Sequence, residues 1–405
     1  MEINKVGVLG AGTMGSGIAQ VVAQAGMDVI LLDLTEDLLK KGIEKIDKTL
    51  TKGIEKGKVT IEEREKVLKR IKPTINIEEM KDCHLIIEAV FEDIDLKINL
   101  FKKLDTLCAP ETIFSSNTST ISITQMAAKI SRSERFIGLH FFNPAPIMRL
   151  VEVVSGLQSS QKTINDGVDF VKRIKKVPIQ VKDCPGFLVN RILLPYVGEA
   201  MLAAQEGAAL PTEIDESIKK AGFPMGPLVL NDMVGIDVGV HTFRIMHEAY
   251  GDRFPIPILF ERLANAGRLG NKSGKGIYNN GKIDEEFIEI IKTIQIETGI
   301  AKTEYSPERL ILRQVNEAIY CLQEKIATAE DIDRAMALGT GFPVNENGLG
   351  GPLHWADEKG LDWVLDKLNY FKDTLGNRFW PHFLLKQYVS AGFLGEKVKK
   401  GFFEY

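Results

Sequence analysis

Two apolar runs of this sequence each contain a side chain suited to proton transfer. His140 lies in Gly138–Phe142, and Glu152 lies within Leu150–Val154. A strand covered on both faces seldom carries a carboxylate without a partner, so Glu152 predicts a buried His–Glu pair. In such a pair the imidazole can accept a proton near neutral pH, and the carboxylate fixes its tautomer. Taken alone, a single histidine at a strand end such as His140 is more often a packed or capping histidine.

A glycine loop near the N-terminus is the second candidate site. Lys5–Leu9 leads into Gly10, Gly12 and Gly15, a helical apolar pattern follows, and Asp33 ends a second apolar run. Strand, glycine turn, helix, strand and acid form the order of a dinucleotide-binding unit. Its helix N-terminus can bind the pyrophosphate, and its acid can accept hydrogen bonds from a ribose diol, which favours NAD over NADP. The alternative is a glycine turn in another kind of α/β protein.

Further apolar runs predict the elements that must position these residues. Leu85–Val90, Ile113–Phe114 and Phe136–Phe142 are short and nearly continuous, as expected for parallel strands covered by helices on both faces. The predicted fold class is α/β, a Rossmann-type doubly wound and mostly parallel sheet, followed by two copies of an all-α domain.

A charged stretch interrupts this pattern at about residues 38–70. It is rich in Lys and Glu and has helical periodicity, which predicts two exposed helices projecting between strands. One interpretation is a solvated face. The other is an arm that reaches an anionic ligand through lysines such as Lys52 and Lys56.

Composition excludes several classes of protein. The 405 residues carry 51 basic and 55 acidic side chains, a net charge of −4, which disfavours nucleic acid as a partner. No run reaches the roughly 18–20 apolar residues of a membrane span, so no membrane association is expected. The four cysteines are scattered, which indicates reduced thiols and a cytoplasmic location. The histidines form no ligand cluster, so no metal is predicted.

The second half of the chain contains a repeat. Gly267–Tyr278 is matched by Gly392–Phe403, and Glu199-Ala200 is matched by Glu317-Ala318. Similar registers at several anchors predict a duplicated helical domain. The predicted domains are residues 1–183, 184–295 and 296–405. Asn190 corresponds to Glu308, so we expect the first copy alone to complete a site and the second to be structural.

Four motifs, in order, resemble the (S)-3-hydroxyacyl-CoA dehydrogenases of fatty-acid β-oxidation, and the resemblance covers nearly the whole chain. The motifs are Asn117–Ser119, His140–Pro144, Leu150–Val154 and Pro185–Arg191. The resemblance implies reversible, NAD-dependent oxidation of a 3-hydroxyacyl-CoA to a 3-oxoacyl-CoA, with a 3-hydroxybutyryl-CoA dehydrogenase as one form of it.

The resemblance also assigns roles to single positions. His140 matches the general base, Glu152 its carboxylate partner, and Ser119 and Asn190 the residues that hydrogen-bond substrate oxygens. For the CoA part, Thr49 and Lys56 are the nearest matches, and Thr49 replaces a serine. The matching NAD contacts are Gly10, Gly12, Thr13, Met14, Gly15, Asp33, Glu92, Lys97, Asn117, Asn143 and Lys272.

The resemblance leaves assembly and substrate open. Multifunctional relatives carry two helical copies that pack on each other, which implies a monomer with an internal pseudo-dimer, whereas a conventional homodimer is the alternative. Many such relatives are fused to an enoyl-CoA hydratase, so the chain can also be one part of a longer polypeptide. Two other functions remain: a dehydrogenase of the same fold acting on a non-CoA 3-hydroxy acid, and an inactive NAD-binding structural protein.

Overall fold

The computed structural model describes residues 2–345 and 348–405 and falls into two units, Met1–Phe187 and Leu188–Tyr405. The first unit is built on a sheet, and the second consists mainly of helices. The division between them lies close to the predicted end of the first domain at residue 183.

The sheet of the first unit has eight strands. In chain order they are β1 (Lys5–Leu9), β2 (Asp28–Leu32), β3 (Ile71–Thr74), β4 (Leu85–Glu88), β5 (Ile113–Ser116), β6 (Phe136–Phe141), β7 (Leu150–Ser155) and β8 (Val177–Lys182). Their order across the sheet is β3-β2-β1-β4-β5-β6-β7-β8. The order reverses between β1 and β4, which is where ligands bind in doubly wound sheets. The predicted fold class is confirmed.

Six helices accompany the sheet within residues 2–187, the described part of this unit. They are α1 (Thr13–Gln24), α2 (Glu36–Glu55), α3 (Ile61–Arg70), α4 (Ile94–Leu107), α5 (Ile123–Ala127) and α6 (Gln161–Arg173), with short 3₁₀ turns at Ile77–Met80 and Ser133–Arg135. The main core lies between strands and helices, where Val8, Val29 and Ile87 pack with Ile18 and Val22 of α1.

The charged stretch forms α2 and α3, but these helices do not simply project from the sheet. Leu39, Ile46 and Leu50 of α2 and Val67 of α3 are buried in the main core. The apolar faces thus cover the edge of the sheet near β3, while the lysines and glutamates face solvent. Most other residues of α2 and α3 are exposed, and the role of this stretch as an arm for an anionic ligand stays a prediction.

Two strands, β7 and β8, run antiparallel to the other six. β6 is parallel to β5 but antiparallel to β7, whereas β7 and β8 are again parallel. No crossover helix separates β6 from β7, and a connection this short can only return the chain in the opposite direction. Apolar content alone predicted the run at Phe136–Phe142 as a strand among parallel neighbours and did not reveal this reversal.

The second unit contains eleven helices among the described residues. They are α7 (Val189–Gln205), α8 (Pro211–Lys220), α9 (Pro227–Val234), α10 (Ile236–Tyr250), α11 (Ile258–Asn265), α12 (Glu285–Thr298), α13 (Pro307–Gln323), α14 (Ala329–Thr340), α15 (Pro352–Lys359), α16 (Leu361–Leu375) and α17 (Phe383–Ser390). Short 3₁₀ turns lie at Gly251–Arg253, Asn271–Ser273, Asn377–Phe379 and Glu396–Val398. None of the helices in the described residues has the length and apolar character needed to cross a membrane.

These helices come in two series of the same order. α7 to α11 and α13 to α17 correspond one to one, and α7 and α13 both have 17 residues. The 3₁₀ turns fall at matching places in both series. α12 lies between the series and spans the predicted boundary at 295/296, so the division between them is better placed between α12 and α13.

The two long helices, α7 and α13, form the same Arg–Glu ion pair twice, once in each direction. Nε of Arg191 in α7 donates to Oε1 of Glu317 in α13 over 2.8 Å, and Nε of Arg309 in α13 donates to Oε1 of Glu199 in α7 over 2.7 Å. Each arginine and each glutamate stands at the same place in its own helix. Such reciprocal contacts are those of an isologous, two-fold interface.

Further arginines extend this arrangement. Arg253 and Arg378, at the matching 3₁₀ turns, each join the glutamate of one of these pairs. Arg313 of α13 donates to the main-chain oxygens of both. The position in α7 that corresponds to Arg313 holds Pro195, so this third arginine belongs to one series alone.

Candidate active site

The strand register places a histidine directly opposite a glutamate. His140 on β6 is the cross-strand partner of Glu152 on β7, and Nδ1 lies 2.6 Å from Oε2. The exposed fractions of the side chains are 5% and 0%. The structure therefore contains the buried pair that Glu152 predicted, and the reversal of β7 creates it.

Ser119 occupies the other nitrogen of the same ring. Its Oγ lies 3.1 Å from Nε2 of His140. A carboxylate can only accept, so the bond to Glu152 assigns the proton of the neutral ring to Nδ1 and leaves Nε2 as an acceptor. Chemically, the arrangement can take a proton at Nε2 from a hydroxyl group bound beside Ser119.

Aromatic rings cover the histidine. The rings of Phe142 and Phe187 lie 4.6 Å and 5.7 Å from that of His140, measured between centroids. They keep water from the His140–Glu152 pair. A lower local dielectric strengthens the interaction between the carboxylate and an imidazolium.

A glutamate holds the loop that carries Ser119. Oε1 of Glu92 accepts hydrogen bonds from the Thr118 hydroxyl and from the main-chain N–H groups of Ser119 and Thr120, the latter two over 3.1 and 3.3 Å. Burial would raise the pKa of Glu92, but the charge of Lys97 and these hydrogen bonds outweigh it and hold the pKa below its usual value. Glu92 therefore stays ionised and keeps the loop in place.

A second buried carboxylate lies outside the residues predicted from the sequence. Glu88 ends β4 with an exposed fraction of 0%, and its Oε1 lies 2.6 Å from Nζ of Lys97. It lies within the run Leu85–Val90, whose other residues are all apolar. The reasoning applied to Glu152, that a carboxylate in a buried strand must have a partner, would have found it.

Asn117 connects the ends of two strands. Its Oδ1 accepts a hydrogen bond of 2.8 Å from the main-chain N–H of Phe141, next to His140. Besides its predicted contact with the cofactor, Asn117 therefore has a structural role, because it fixes β6 next to His140.

The glycine loop has the shape that a dinucleotide needs. Gly10 has φ +95°, and a Cβ on Gly15 would lie 1.8 Å from the Gly10 oxygen. A Cβ on Gly12 would meet nothing within 4 Å. Thr13 and Met14 begin α1, and the N–H groups of a helix's first turn can bind a phosphate, so the loop fits a pyrophosphate.

Asp33 has a contact that the sequence did not reveal. Its Oδ2 accepts a hydrogen bond of 2.6 Å from Ala11 N–H, and its Oδ1 accepts one of 2.7 Å from Leu34 N–H. Through its bond to Ala11, the Asp33 carboxylate stabilises the glycine loop. Each oxygen retains a lone pair for the predicted ribose contact.

Other predicted residues stand apart from this cluster. Thr49 on α2 and Lys56, the residue that follows α2, are both exposed, and the Thr49 hydroxyl donates to the Lys45 oxygen over 2.9 Å. Asn143 is exposed just after β6. Among the described residues, no group of three or more His, Cys, Asp or Glu side chains is arranged to hold a metal ion.

Two predicted residues belong to the second unit. Asn190 is the second residue of α7, as Glu308 is of α13. Lys272 forms an ion pair with Asp237. The matching residues of the second series, Lys397 and Asp362, form the same pair at 2.6 Å, so this contact accounts for Lys272 without a cofactor.

Family models match almost all of the chain. The model described as "3-hydroxyacyl-CoA dehydrogenase, NAD binding domain" matches residues 5–184. The model described as "3-hydroxyacyl-CoA dehydrogenase, C-terminal domain" matches residues 186–280 and 306–405. The second match falls on the two helical series.

Curated relatives are longer proteins. The fatty acid oxidation complex subunit alpha of Shewanella amazonensis is 38% identical over 400 residues, which cover 96% of this chain and 56% of that protein. The subunit of the same name from Psychrobacter cryohalolentis is 39% identical over 377 residues, covering 89% and 52%. The chain therefore spans about half the length of the curated relatives it matches.

Solved structures match over their full length. The 3-hydroxybutyryl-CoA dehydrogenase of Escherichia coli K12 is 31% identical with a TM-score of 0.87, and 96% of this chain covers 99% of that one. The (S)-3-hydroxybutyryl-CoA dehydrogenase of Ralstonia eutropha is 41% identical with a TM-score of 0.67, and 69% of this chain covers 99% of that one.

Proposed function

The chain belongs to the 3-hydroxyacyl-CoA dehydrogenase family, and from that premise we propose that it interconverts (S)-3-hydroxyacyl-CoA and 3-oxoacyl-CoA with NAD. The observation that carries the proposal is the hydrogen-bonded series Ser119–His140–Glu152. An inactive NAD-binding protein would have no need for a carboxylate that is fully buried behind a histidine.

In the oxidation, the residues act on one hydroxyl group. Ser119 hydrogen-bonds the 3-hydroxyl, and Nε2 of His140 removes its proton. Glu152 stabilises the imidazolium that results and keeps the ring oriented. A nicotinamide held by the glycine loop and Asp33 would supply the acceptor for the hydride that leaves C3. In the reverse direction His140 returns the proton to the oxygen.

The residues present fit the cofactor. The glycine loop, with Gly10, Gly12 and Gly15, would hold the pyrophosphate, and Asp33 would hold the ribose hydroxyls. The residues that we assign to the rest of the cofactor by family resemblance are Glu92, Lys97, Asn117, Asn143 and Lys272. The contact of Lys272 with Asp237 makes it the weakest of these assignments.

For the helical unit, we infer a duplicated domain in which only the first copy serves catalysis. Asn190 would hydrogen-bond the substrate, and Glu308 at the matching position cannot donate such a bond when ionised. The reciprocal Arg–Glu pairs of α7 and α13 support an internal pseudo-dimer, which favours a monomer over a homodimer.

For the substrate, the CoA ester is the preferred class. Both solved relatives carry 3-hydroxybutyryl-CoA dehydrogenase in their names, and the curated relatives are named as subunits of a fatty acid oxidation complex. A short acyl chain, and association with other enzymes of fatty acid oxidation, belong to this proposal. Thr49 and Lys56 are the candidates for CoA contacts.

The test is an NADH oxidation assay with a substrate series. Acetoacetyl-CoA and longer 3-oxoacyl-CoA esters are compared with free acetoacetate, and NADH binding is measured separately by its fluorescence. We expect turnover of the CoA esters and none of the free acid. Turnover of the free acid at a similar rate would favour a non-CoA 3-hydroxy acid as substrate. Intact NADH binding without any turnover would favour a structural role.

A further inference from the structure

Behind the Ser119 loop lies a chain of hydrogen bonds that includes Lys97 and Glu92, assigned above to the cofactor, but whose centre has no role in the proposed mechanism. Its centre is Glu88. Oε1 of this residue accepts from Nζ of Lys97 over 2.6 Å and from the main-chain N–H of Val90 over 2.7 Å. Its Oε2 accepts from the hydroxyl of Ser116 over 2.6 Å. Both oxygens are therefore engaged, and the side chain has an exposed fraction of 0%.

Two routes lead from Glu88 to the loop. By the first, the Ser116 hydroxyl that donates to Glu88 accepts the main-chain N–H of Thr118 over 3.2 Å. By the second, Lys97 also contacts Glu92, with Nζ 3.1 Å from Oε2. The other oxygen of Glu92 accepts the donors of residues 118–120. Both routes end on the segment that contains Ser119.

The charges make this arrangement stiff. Lys97 has an exposed fraction of 1% and lies between the two carboxylates. A buried ammonium needs a partner, and here it is shared by Glu88 and Glu92. If the charge of Glu88 were removed, Lys97 would pair with Glu92 alone. Glu92 would then be drawn towards Lys97 and away from the N–H groups of the loop.

We propose that Glu88 is a positioning residue that, through Ser116 and through the Lys97–Glu92 pair, holds the Ser119 hydroxyl at His140. This inference rests on the proposed function, because turnover of the CoA ester is its readout. The competing explanation is that the buried cluster only stabilises the sheet. In that case its loss would lower stability without acting through Ser119.

The experiment compares two neighbouring serines of β5. Ser116→Ala removes one link of the chain with little change in volume. Ser115→Ala is the matched control, since Ser115 is buried on the same strand and its hydroxyl donates to the Ile86 oxygen over 3.0 Å, outside the chain. We expect Ser116→Ala to lower kcat roughly 10- to 100-fold, the scale of a slightly misplaced catalytic group. Its affinity for NADH should be retained, and Ser115→Ala should have the kcat of the wild type.

A double-mutant cycle decides between positioning and stability. If Ser116 acts through Ser119, the variant Ser116→Ala/Ser119→Ala will be no slower than Ser119→Ala alone. The proposal would be overturned if the fold-losses in kcat of the two single variants multiplied in the double variant. It would also be overturned if Ser116→Ala had the same kcat as the control Ser115→Ala. Glu88→Gln, combined with Ser119→Ala in the same way, tests the role of Glu88 directly. If this variant does not fold, the serine cycle still gives the answer.

The same measurements separate the two proposals. A wild-type protein that binds NADH but turns over no 3-oxoacyl-CoA contradicts the proposed function. A wild-type protein that is active, with additive effects in the serine cycle, contradicts the role of Glu88 and leaves the proposed function standing.

Discussion

His140 and Glu152 are directly opposite residues of the antiparallel pair β6–β7, with Nδ1 and Oε2 2.6 Å apart. Because side chains alternate between the two faces of a strand, a slip of one residue would turn the carboxylate to the other face of the sheet. The pairing of two strands, rather than a flexible loop, therefore sets the distance between the proposed base and its partner.

We expect His140→Ala to lower kcat at least about 10²-fold, the usual loss when a general base is removed. Glu152→Gln keeps the size of the side chain but removes the charge that would stabilise the imidazolium, so we expect a loss of about 10²-fold or more. Steady-state kinetics with acetoacetyl-CoA and NADH measure both. The exposed His241 offers a control variant, His241→Ala, that should retain activity. Near-full activity of His140→Ala would remove this residue from the mechanism.

Asn190 and Glu308 form a matched pair for testing the one-site arrangement. Asn190→Ala should lower kcat/KM by about 10-fold or more, since it removes the proposed hydrogen bond to the substrate. Glu308→Ala, at the same place in α13, should leave kcat/KM nearly unchanged. A large loss in Glu308→Ala would refute the assignment of a purely structural role to the second series.

Asp33 should discriminate between NAD and NADP. The 2′-phosphate of NADP would lie against the Asp33 carboxylate and be repelled by it. Asp33→Asn should therefore lower the ratio of kcat/KM with NADH to kcat/KM with NADPH. Asp33→Ala should narrow the ratio as well, and it should also weaken binding of both cofactors because it removes the acceptor for Ala11 N–H. Kinetics with NADH and NADPH check this. An unchanged ratio in both variants would contradict the ribose role.

The ion pair between Arg309 and Glu199 should be essential to the stability of the second unit. Arg309→Met leaves a buried glutamate without this partner, so we expect a loss of about 3–5 kcal/mol in the free energy of unfolding. The exposed pair Lys292–Glu289 supplies the control, since Lys292→Met should cost at most about 1 kcal/mol. All three tryptophans of the chain lie in this unit, so their fluorescence during denaturation reports on it. Equal losses in the two variants would contradict the prediction.

The same cluster predicts a dependence of stability on pH. Burial would raise the pKa of Glu199, but the charges of Arg378 and Arg309 outweigh it and lower the pKa from 4.5 to about 2. A group whose pKa is lower in the folded state contributes stability above its unfolded pKa and loses it as the pH falls through its folded pKa. Above pH 4.5, the free energy of unfolding of the wild type should therefore exceed that of Glu199→Gln by about 3 kcal/mol. This difference should shrink as the pH falls towards 2.

Urea denaturation of both proteins at a series of pH values, followed by tryptophan fluorescence, measures this difference. Glu289→Gln, a variant of an exposed glutamate in the same unit, corrects for the general effect of acid. A difference that stays constant from pH 4.5 to 2 would show that Glu199 does not titrate in this way.

The sheet and the glycine loop were predictable because they depend on local patterns. Lys5–Leu9, Gly10 and Asp33 stand in an order that few other folds require. The direction of β7 was not predictable in the same way, since an apolar run reads alike whichever way its strand is paired. What revealed it was the structure of the connection after β6, which lacks a crossover helix.

The candidate site, too, could be predicted from the sequence only in part. Glu152 drew attention because a carboxylate in an apolar strand needs a partner, and the structure places His140 there. Glu88 presents the same signal, a single carboxylate in the apolar run Leu85–Val90, but is not among the predicted site residues. The loop contacts of Glu92, the support of the glycine loop by Asp33 and the burial of α2 depend on residues distant in sequence, which no local pattern specifies.

Arg313 shows what a single polypeptide permits that two identical subunits do not. It reaches the main-chain oxygens of both Arg253 and Arg378, while its counterpart in the first series is Pro195. In a homodimer one codon specifies both halves of the interface, so every substitution appears twice, related by symmetry. Here each half has its own codons. An arginine that suits one side can be selected without being imposed on the other, and the interface can evolve as a heterodimer does.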